Sequence, residues 1–219
     1  MTLPKNKVKL EWTSNFAYAI GLLTTDGNLS TNKKYITLVS NDLAQIENFK
    51  KCLNLQNKIG RHVSGSSKKI GFRIQFGDVN FYKFLLNIGL TPKKSKTIGS
   101  VNVPDKYFFD FLRGHFDGDG SFHSYWDKRW RSSFMFYTYF YSASKKHILW
   151  LRREIKKQIS INGYITKPKT TSVYALRYAK SESLKLLLKI YGLKSAVCLS
   201  RKYLKIKTAL AIIGKKNII

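Results

Sequence analysis

Two aspartates, Asp26 and Asp119, each close a near-repeat of the other's surroundings: Gly21-Leu22-Leu23-Thr24-Thr25-Asp26-Gly27 and, 93 residues on, Gly114-His115-Phe116-Asp117-Gly118-Asp119-Gly120. An apolar, helix-like stretch precedes each (16–20 and 107–112) and a short polar-alternating segment follows, so each aspartate is expected at the last turn of a helix that runs into a strand. A carboxylate there faces the negative end of the helix dipole, which disfavours it by about 0.3–1 kcal/mol. If the two copies pack about a pseudo-twofold axis, the carboxylates also approach each other. A divalent cation held by oxygen ligands, water and phosphate relieves both conflicts, and such an ion activates water and stabilises the attacking and leaving oxygens of phosphodiester hydrolysis. The plainer reading, that Asp-Gly is a common turn dipeptide, fits one copy better than two in a chain with only 12 acids.

Small residues at helical spacing, Ala17, Gly21 and Thr25 in one copy and Gly114 and Gly118 in the other, mark places where another backbone comes close. The two helices are therefore expected side by side, and Gly27 and Gly120 are expected to form left-handed helix caps. Downstream, Val39-Ser40-Asn41-Asp42 matches Ala143-Ser144-Lys145-Lys146 at an offset of 104, each opening an amphipathic stretch (43–53 and 148–159). The eleven added residues are assigned to a long basic and aromatic hairpin connection, Tyr125 to Arg131. Strand pairs are expected at 58–63 with 70–76 and at 163–167 with 173–179, followed by third helical stretches ending near Gly89 and Gly192. The order α-β-β-α-β-β-α thus occurs twice, in an N-terminal half (1–90) and a C-terminal half (104–193), joined by a linker (91–103) and followed by a basic and apolar tail (194–219) with a last helix around 208–214.

The balance of 40 Lys and Arg against 12 acids gives a net charge of +28, while 43% hydrophobic residues exclude a disordered basic tail. A folded domain so basic needs a polyanion, and nucleic acid is the expected partner. The longest apolar run, Phe16 to Leu23, is far below the roughly 20 residues of a membrane span, and no targeting signal is evident, so an intracellular protein without membrane contact is expected. Cys52 and Cys198 match no metal-ligand spacing and read as reduced core thiols. Charge alone would also fit a ribosomal protein.

The two segments resemble the LAGLIDADG homing endonuclease family in its single-chain, two-motif form, with residues 19–27 and 112–120 lying over the nine-letter motif. The resemblance runs from about Ser14 to Leu193 and includes Gly89-Leu90-Thr91-Pro92-Lys93-Lys94-Ser95. It implies an α+β fold of two pseudo-symmetric αββαββα halves, each with a curved four-stranded antiparallel DNA-binding sheet, packed through the motif helices. It implies a monomeric enzyme, encoded in an intron or intein, that makes a staggered double-strand cut in a long double-stranded DNA target, in the bacterial cytoplasm or an organelle matrix, without a protein partner. Mg²⁺ is the implied cofactor, with Mn²⁺ as a substitute and Ca²⁺ able to occupy the site without supporting cleavage. The catalytic, metal-binding acids map to Asp26 and Asp119, with Thr25 and Gly118 as further metal-binding positions. A basic or amide residue near the end of the second strand maps to Lys145 and, in the first half, to Asn41, which carries no charge and makes the two cutting centres unequal. The motif's sixth position is Thr24 in one copy and Asp117 in the other and is not the metal ligand. Arg113 and His115 depart from the motif and read as facing away from the partner helix. Family members also include RNA-binding intron maturases and non-catalytic DNA-binding regulators, so intron RNA is an alternative partner.

On such sheets the alternation sends Leu29, Ile36, Leu38, Phe122, Phe134, Phe136 and Phe140 to the core. Asn28, Ser30, Asn32, Tyr35, Thr37, Ser121, His123, Tyr125, Ser133, Tyr137, Tyr139 and Tyr141 then face DNA. Arg61, Arg73, Gln75 and Arg177 are the expected readers of base edges. Lys33, Lys34, Lys68, Lys69, Lys128, Lys167 and Lys169, with Arg129 and Arg131, are expected at phosphates or along the same DNA surface.

Overall fold

The computed structural model describes residues 6–63, 70–168, 171–192 and 196–215; Lys68, Lys69 and Lys169 lie outside them. The first half runs α1 (Ser14–Thr25), β1 (Gly27–Leu29), β2 (Ile36–Ser40), α2 (Leu43–Cys52), β3 (Gly60–Val63), β4 (Ile70–Phe76) and α3 (Val79–Asn87). The second runs α4 (Phe108–Asp119), β5 (Ser121–Trp126), β6 (Phe134–Ser142), α5 (Lys145–Ile159), β7 (Tyr164–Thr166), β8 (Tyr174–Tyr178) and α6 (Lys180–Tyr191), and α7 (Ser200–Ile212) follows. Each half forms a four-stranded antiparallel sheet, in the orders β1-β2-β4-β3 and β5-β6-β8-β7.

The starts of α1, α2 and α3 are fixed by side-chain oxygens that accept from free backbone N–H groups. Thr13 caps α1 by accepting from Phe16 N at 3.1 Å, and Asp42 caps α2 by accepting from Ala44 N at 3.1 Å. Asp78 caps α3 through Oδ1, while its Oδ2 accepts from Lys7 N and Val8 N and holds the N-terminal segment down.

α1 and α4 pack backbone to backbone. A Cβ placed on Gly21 would collide with the Phe111 carbonyl, and one on Gly114 with the Tyr18 carbonyl. That accounts for the small residues at helical spacing, and it buries α1 almost entirely, from Phe16 to Thr24. The expected left-handed caps are not formed. Gly120 is extended (φ −80°, ψ 157°), and Gly27 is not among the positive-φ glycines. Both are glycine for space, because a Cβ would run into the Leu23 carbonyl or into Phe116.

Hydrogen-bond register corrects the alignment of the halves. Ile36 pairs with Phe76 as Thr138 pairs with Tyr178, an offset of 102 rather than 104. The capping residues Asp42 and Ser144 are then equivalent, so Asn41 corresponds to Ala143, Leu43 to Lys145 and Gln45 to His147. Set against the motif offset of 93, this leaves nine added residues, not eleven, in the β5–β6 hairpin. The motif is short and anchored by glycines, whereas Ser-rich strand ends offer two near-equal matches; only the ladder decides between them.

Arg113 does not face away from the partner helix. It is 1% exposed, with its guanidinium 5.6 Å from the Tyr18 ring of α1, and bonds the carbonyls of Val197 and Ile190 and the Asp110 carboxylate. Asp117, fully buried, accepts from Tyr18 OH (2.7 Å), Tyr191 OH (3.0 Å) and Leu199 N (2.6 Å). Together they tie α1, α4, α6 and the start of α7 into one core. Cys52 and Cys198 are free thiols, pushed by burial up to about 12 and about 11. Among the described residues no helix is long and apolar enough to cross a membrane.

Candidate active site and nucleic-acid face

Asp26, which caps the C-terminus of α1, and Asp119, the last residue of α4, meet where the two helices end. A Cβ on Gly118 would collide with Thr25 Oγ1 and sit 2.7 Å from Asp26 Oδ2, so glycine there is what lets the acidic ends converge. Burial, and then the charge of Asp119, raises the Asp26 carboxyl to about 6, although bonds from Gln45 and Thr25 oppose the rise. Gln45 Nε2 donates to Asp26 Oδ2 at 2.6 Å, and Thr25 Oγ1 lies 3.3 Å from the same oxygen. Asp119 is also raised by burial, against the pull of Lys202 and Lys94.

Those two lysines are the principal residues that the sequence reading missed. Lys94, buried in the short turn Lys94–Lys96, donates to the Gly27 carbonyl at the end of α1. Lys202 of α7 places Nζ 2.6–3.3 Å from the carbonyls of Phe116, Asp117, Gly118 and Gly120 at the end of α4. Gly27 and Gly120 are motif equivalents, so each motif helix has its negative end covered by one ammonium, the favourable side of the dipole interaction. Burial lowers both lysines to about 8, partly countered at Lys94 by Asp26 and Asp119 and at Lys202 by Asp117 and then the same two aspartates. Lys94 stands inside the quoted 89–95 segment and Lys202 inside the tail, but nothing in spacing singles either out from 40 basic residues.

The two sides of the acid pair differ. A cavity of about 680 Å³ on the Asp26 side is lined by Asn41, Gln45, His62, Gly118 and Arg201, among others. Arg201 Nε pairs with Asp42 Oδ2 at 2.7 Å. A cavity of about 290 Å³ on the Asp119 side is lined by Thr24, Thr25, Lys94, His115, Tyr141, Ala143 and His147, among others. Here His147 occupies the place of Gln45 but turns to His115, with Nε2 to Nε2 at 3.0 Å, and to the Gly99 carbonyl through Nδ1 at 2.7 Å. Because a carbonyl only accepts, His147 carries its proton on Nδ1 and accepts from His115 Nε2–H. Burial lowers His147 to about 4 and holds His115 well below the ordinary imidazole value, so the pair is neutral at neutral pH. Asn41 thus reaches the acid site. Lys145 is the exposed first residue of α5 and is not among the residues lining the Asp119 cavity, which follows from the two-residue misalignment. A cleft of about 880 Å³ beneath residues 6–13 lies apart from both acids.

On the outer sheet faces, cross-strand pairs put Asn28, Thr37 and Gln75 in one row and Val39 with Arg73 in the next. Arg61 pairs with Phe72, which packs on the core, so it lies on the helix side at the sheet edge; His62, opposite Gly71, takes the outer face instead. Ser30 and Asn32 brace the β1–β2 turn: Ser30 Oγ accepts from Tyr35 N (2.8 Å) and Asn32 Oδ1 from Ser30 Oγ (2.7 Å). Lys33, Lys34 and Tyr35 are exposed there. In the second half Ser121, Tyr139, Arg177 and Tyr164 form one outer row, beside His123–Tyr137 and Tyr125–Met135. Tyrosines dominate this face; Tyr139 and Tyr141 stack at 5.8 Å, and the Arg177 guanidinium lies 5.3 Å from the Tyr137 ring. Lys167 sits 5.1 Å from the Tyr174 ring, and Lys128, Arg129 and Arg131 are exposed at the β5–β6 tip.

This architecture is the LAGLIDADG homing endonuclease fold in its single-chain, two-motif form. The homing endonuclease I-WcaI bound to its DNA recognition sequence is similar at 15% identity and a TM-score of 0.60, over 89% of this chain and 88% of that one. The meganuclease I-SmaMI bound to uncleaved DNA in the presence of calcium ions is similar at 12% identity and a TM-score of 0.57, over 95% and 94%. Full-length DUF199/WhiA from Thermatoga maritima is similar at 14% identity and a TM-score of 0.59; 96% of this chain is covered, and it spans 64% of the length of that protein. No protein-family model and no curated protein matches the chain.

Proposed function

We propose that this protein is a Mg²⁺-dependent, site-specific endonuclease that makes a staggered double-strand cut in double-stranded DNA by phosphodiester hydrolysis. The observation that carries this reading is the convergence of Asp26 and Asp119, both raised by burial above the ordinary carboxylate value, with the charge of Asp119 adding to the rise at Asp26. Among the described residues no cluster of three or more His, Cys, Asp or Glu could cage a metal. Two carboxylates with water and phosphate nevertheless suit Mg²⁺, which binds through one or two carboxylates and keeps waters. Asp26 and Asp119 would hold the ion, with the carbonyls of Thr25 and Gly118 as further donors; the ion, when bound, supplies Lewis-acid stabilisation of the attacking and leaving oxygens. Gln45 orients the Asp26 carboxylate. Lys94 and Lys202, pinned by helix-end carbonyls, present positive charge to a phosphate arriving at either acid. The unequal cavities, rather than the Asn41 and Lys145 contrast, support unequal handling of the two strands.

A second reading is favoured by the same lysines. Two ammoniums offset two carboxylates without a metal, so the fold is also compatible with a DNA-binding protein that does not cut.

The deciding experiment uses DNA made by joining the sequences that flank the reading frame. With Mg²⁺, wild type is expected to cut it in both strands, whereas Asp26→Asn and Asp119→Asn bind it without double-strand cleavage. Binding by wild type without any cleavage would establish the second reading.

A further inference from the structure

The nine residues that enlarge the β5–β6 hairpin build a surface with no counterpart in the first half. Residues 138–142 of β6 pair with β8, but 134–136 pair only with 124–126 of β5, so this end of the hairpin runs on beyond β8 as a two-stranded ribbon, with Phe134 and Phe136 packed into the core. Its tip is held by hydrogen bonds. Asp127 Oδ1 accepts from Arg129 N (2.8 Å) and Trp130 N (3.4 Å), Ser133 N donates to the Trp130 carbonyl (2.7 Å), and Asp127 N donates to the Ser133 carbonyl (2.9 Å). Trp126 lies edge-on to Phe134, with ring centres 5.1 Å apart. Trp130 has no aromatic neighbour among the described residues and is 70% exposed, the most exposed large hydrophobic residue there. Lys128, Arg129 and Arg131 flank it in sequence with exposed side chains, and the one acid of the turn, Asp127, accepts from backbone N–H groups and lies 3.8 Å from Arg129 Nε, which leaves two of the three cations without an acidic partner among the described residues.

We propose that this tip is a stacking site for an unpaired nucleotide, with Trp130 as the platform and Lys128, Arg129 and Arg131 as its phosphate contacts. An exposed indole held by an ordered turn needs a flat apolar partner, and three flanking cations need an anionic one. A nucleotide carries both on one unit. In an intact duplex both faces of each base are already stacked, so the complement is a base free of its partner strand, bound by stacking that tolerates any sequence. The site lies at the far end of β5 from Asp119 and does not depend on cleavage.

The test uses the full chain, at one salt concentration without added metal, titrated into labelled oligothymidylate, labelled oligouridylate and a blunt duplex of equal length. Trp130→Ala is expected to weaken binding of at least one single strand by about fivefold or more while duplex affinity stays unchanged, and Trp130→Phe is expected to retain most of it. Loss confined to oligouridylate assigns the nucleotide to RNA, and loss on oligothymidylate includes DNA; either supports the site. Unchanged single-strand affinity in Trp130→Ala, or equal loss on single strands and duplex, overturns it.

Discussion

At the scale of single residues, the two acids were legible because acids are scarce here and these two recur in one setting, whereas their partners were not. Gln45, Lys94, Arg201 and Lys202 come from α2, the linker and α7, and only tertiary folding brings them together. Asp26 gives the clearest consequence. Its carboxyl is raised from 3.8 to about 6 in the folded protein, so the folded state holds its proton more tightly than the unfolded chain does. Stability from this group is present below about pH 4 and lost as pH rises through 6. Asp26→Asn keeps an oxygen for Gln45 and cannot ionise. In the metal-free protein it is expected to match wild type near pH 4 and to exceed it by about 1–2 kcal/mol at pH 7, measured by denaturant unfolding at both pH values. A constant difference across that range would mean that the carboxylate is not strained.

At the scale of elements, the order α-β-β-α-β-β-α and most boundaries followed from hydrophobic period and turn residues, and the small residues of the motif helices announced their close contact. Two details escaped. Gly27 and Gly120 looked like left-handed caps because Asp-Gly commonly ends helices, but steric room rather than φ dictates glycine there. The match of Lys145 to Asn41 failed because a two-residue slip preserves strand alternation, so the pattern of faces cannot expose it. The helix interface makes a sharp prediction. Gly114→Ala drives a methyl group into the Tyr18 carbonyl, and neither backbone can yield without separating α1 from α4. It is expected to lower stability by about 1–3 kcal/mol, seen as a reduced melting temperature. Gly99→Ala, with open space around its Cβ, is expected to be neutral or slightly stabilising.

At the scale of the whole molecule, the chain carries a net charge of +28 and presents two sheets whose outer faces differ in chemistry. Asn28, Thr37, Arg73 and Gln75 offer directional donors and acceptors, while the second sheet offers mainly tyrosines. Composition gave the sign of the field, but not this division, because side-chain identity on a strand carries no signal of which face is wet until the register is known. Duplex affinity is expected to fall by about a thousandfold or more between 50 and 200 mM salt if six or more phosphates are neutralised, at a log–log slope of about −0.9 for each. A shallow slope in a salt titration would mean that much of the charge lies off the DNA path. The placement of α7 adds a matter of timing. Both motif helices leave the ribosome before Lys202 is made, so the growing chain can pair its two acidic helix ends while one of them still lacks its ammonium. The acid pair therefore reaches its finished electrostatic state only after α7 has been synthesised.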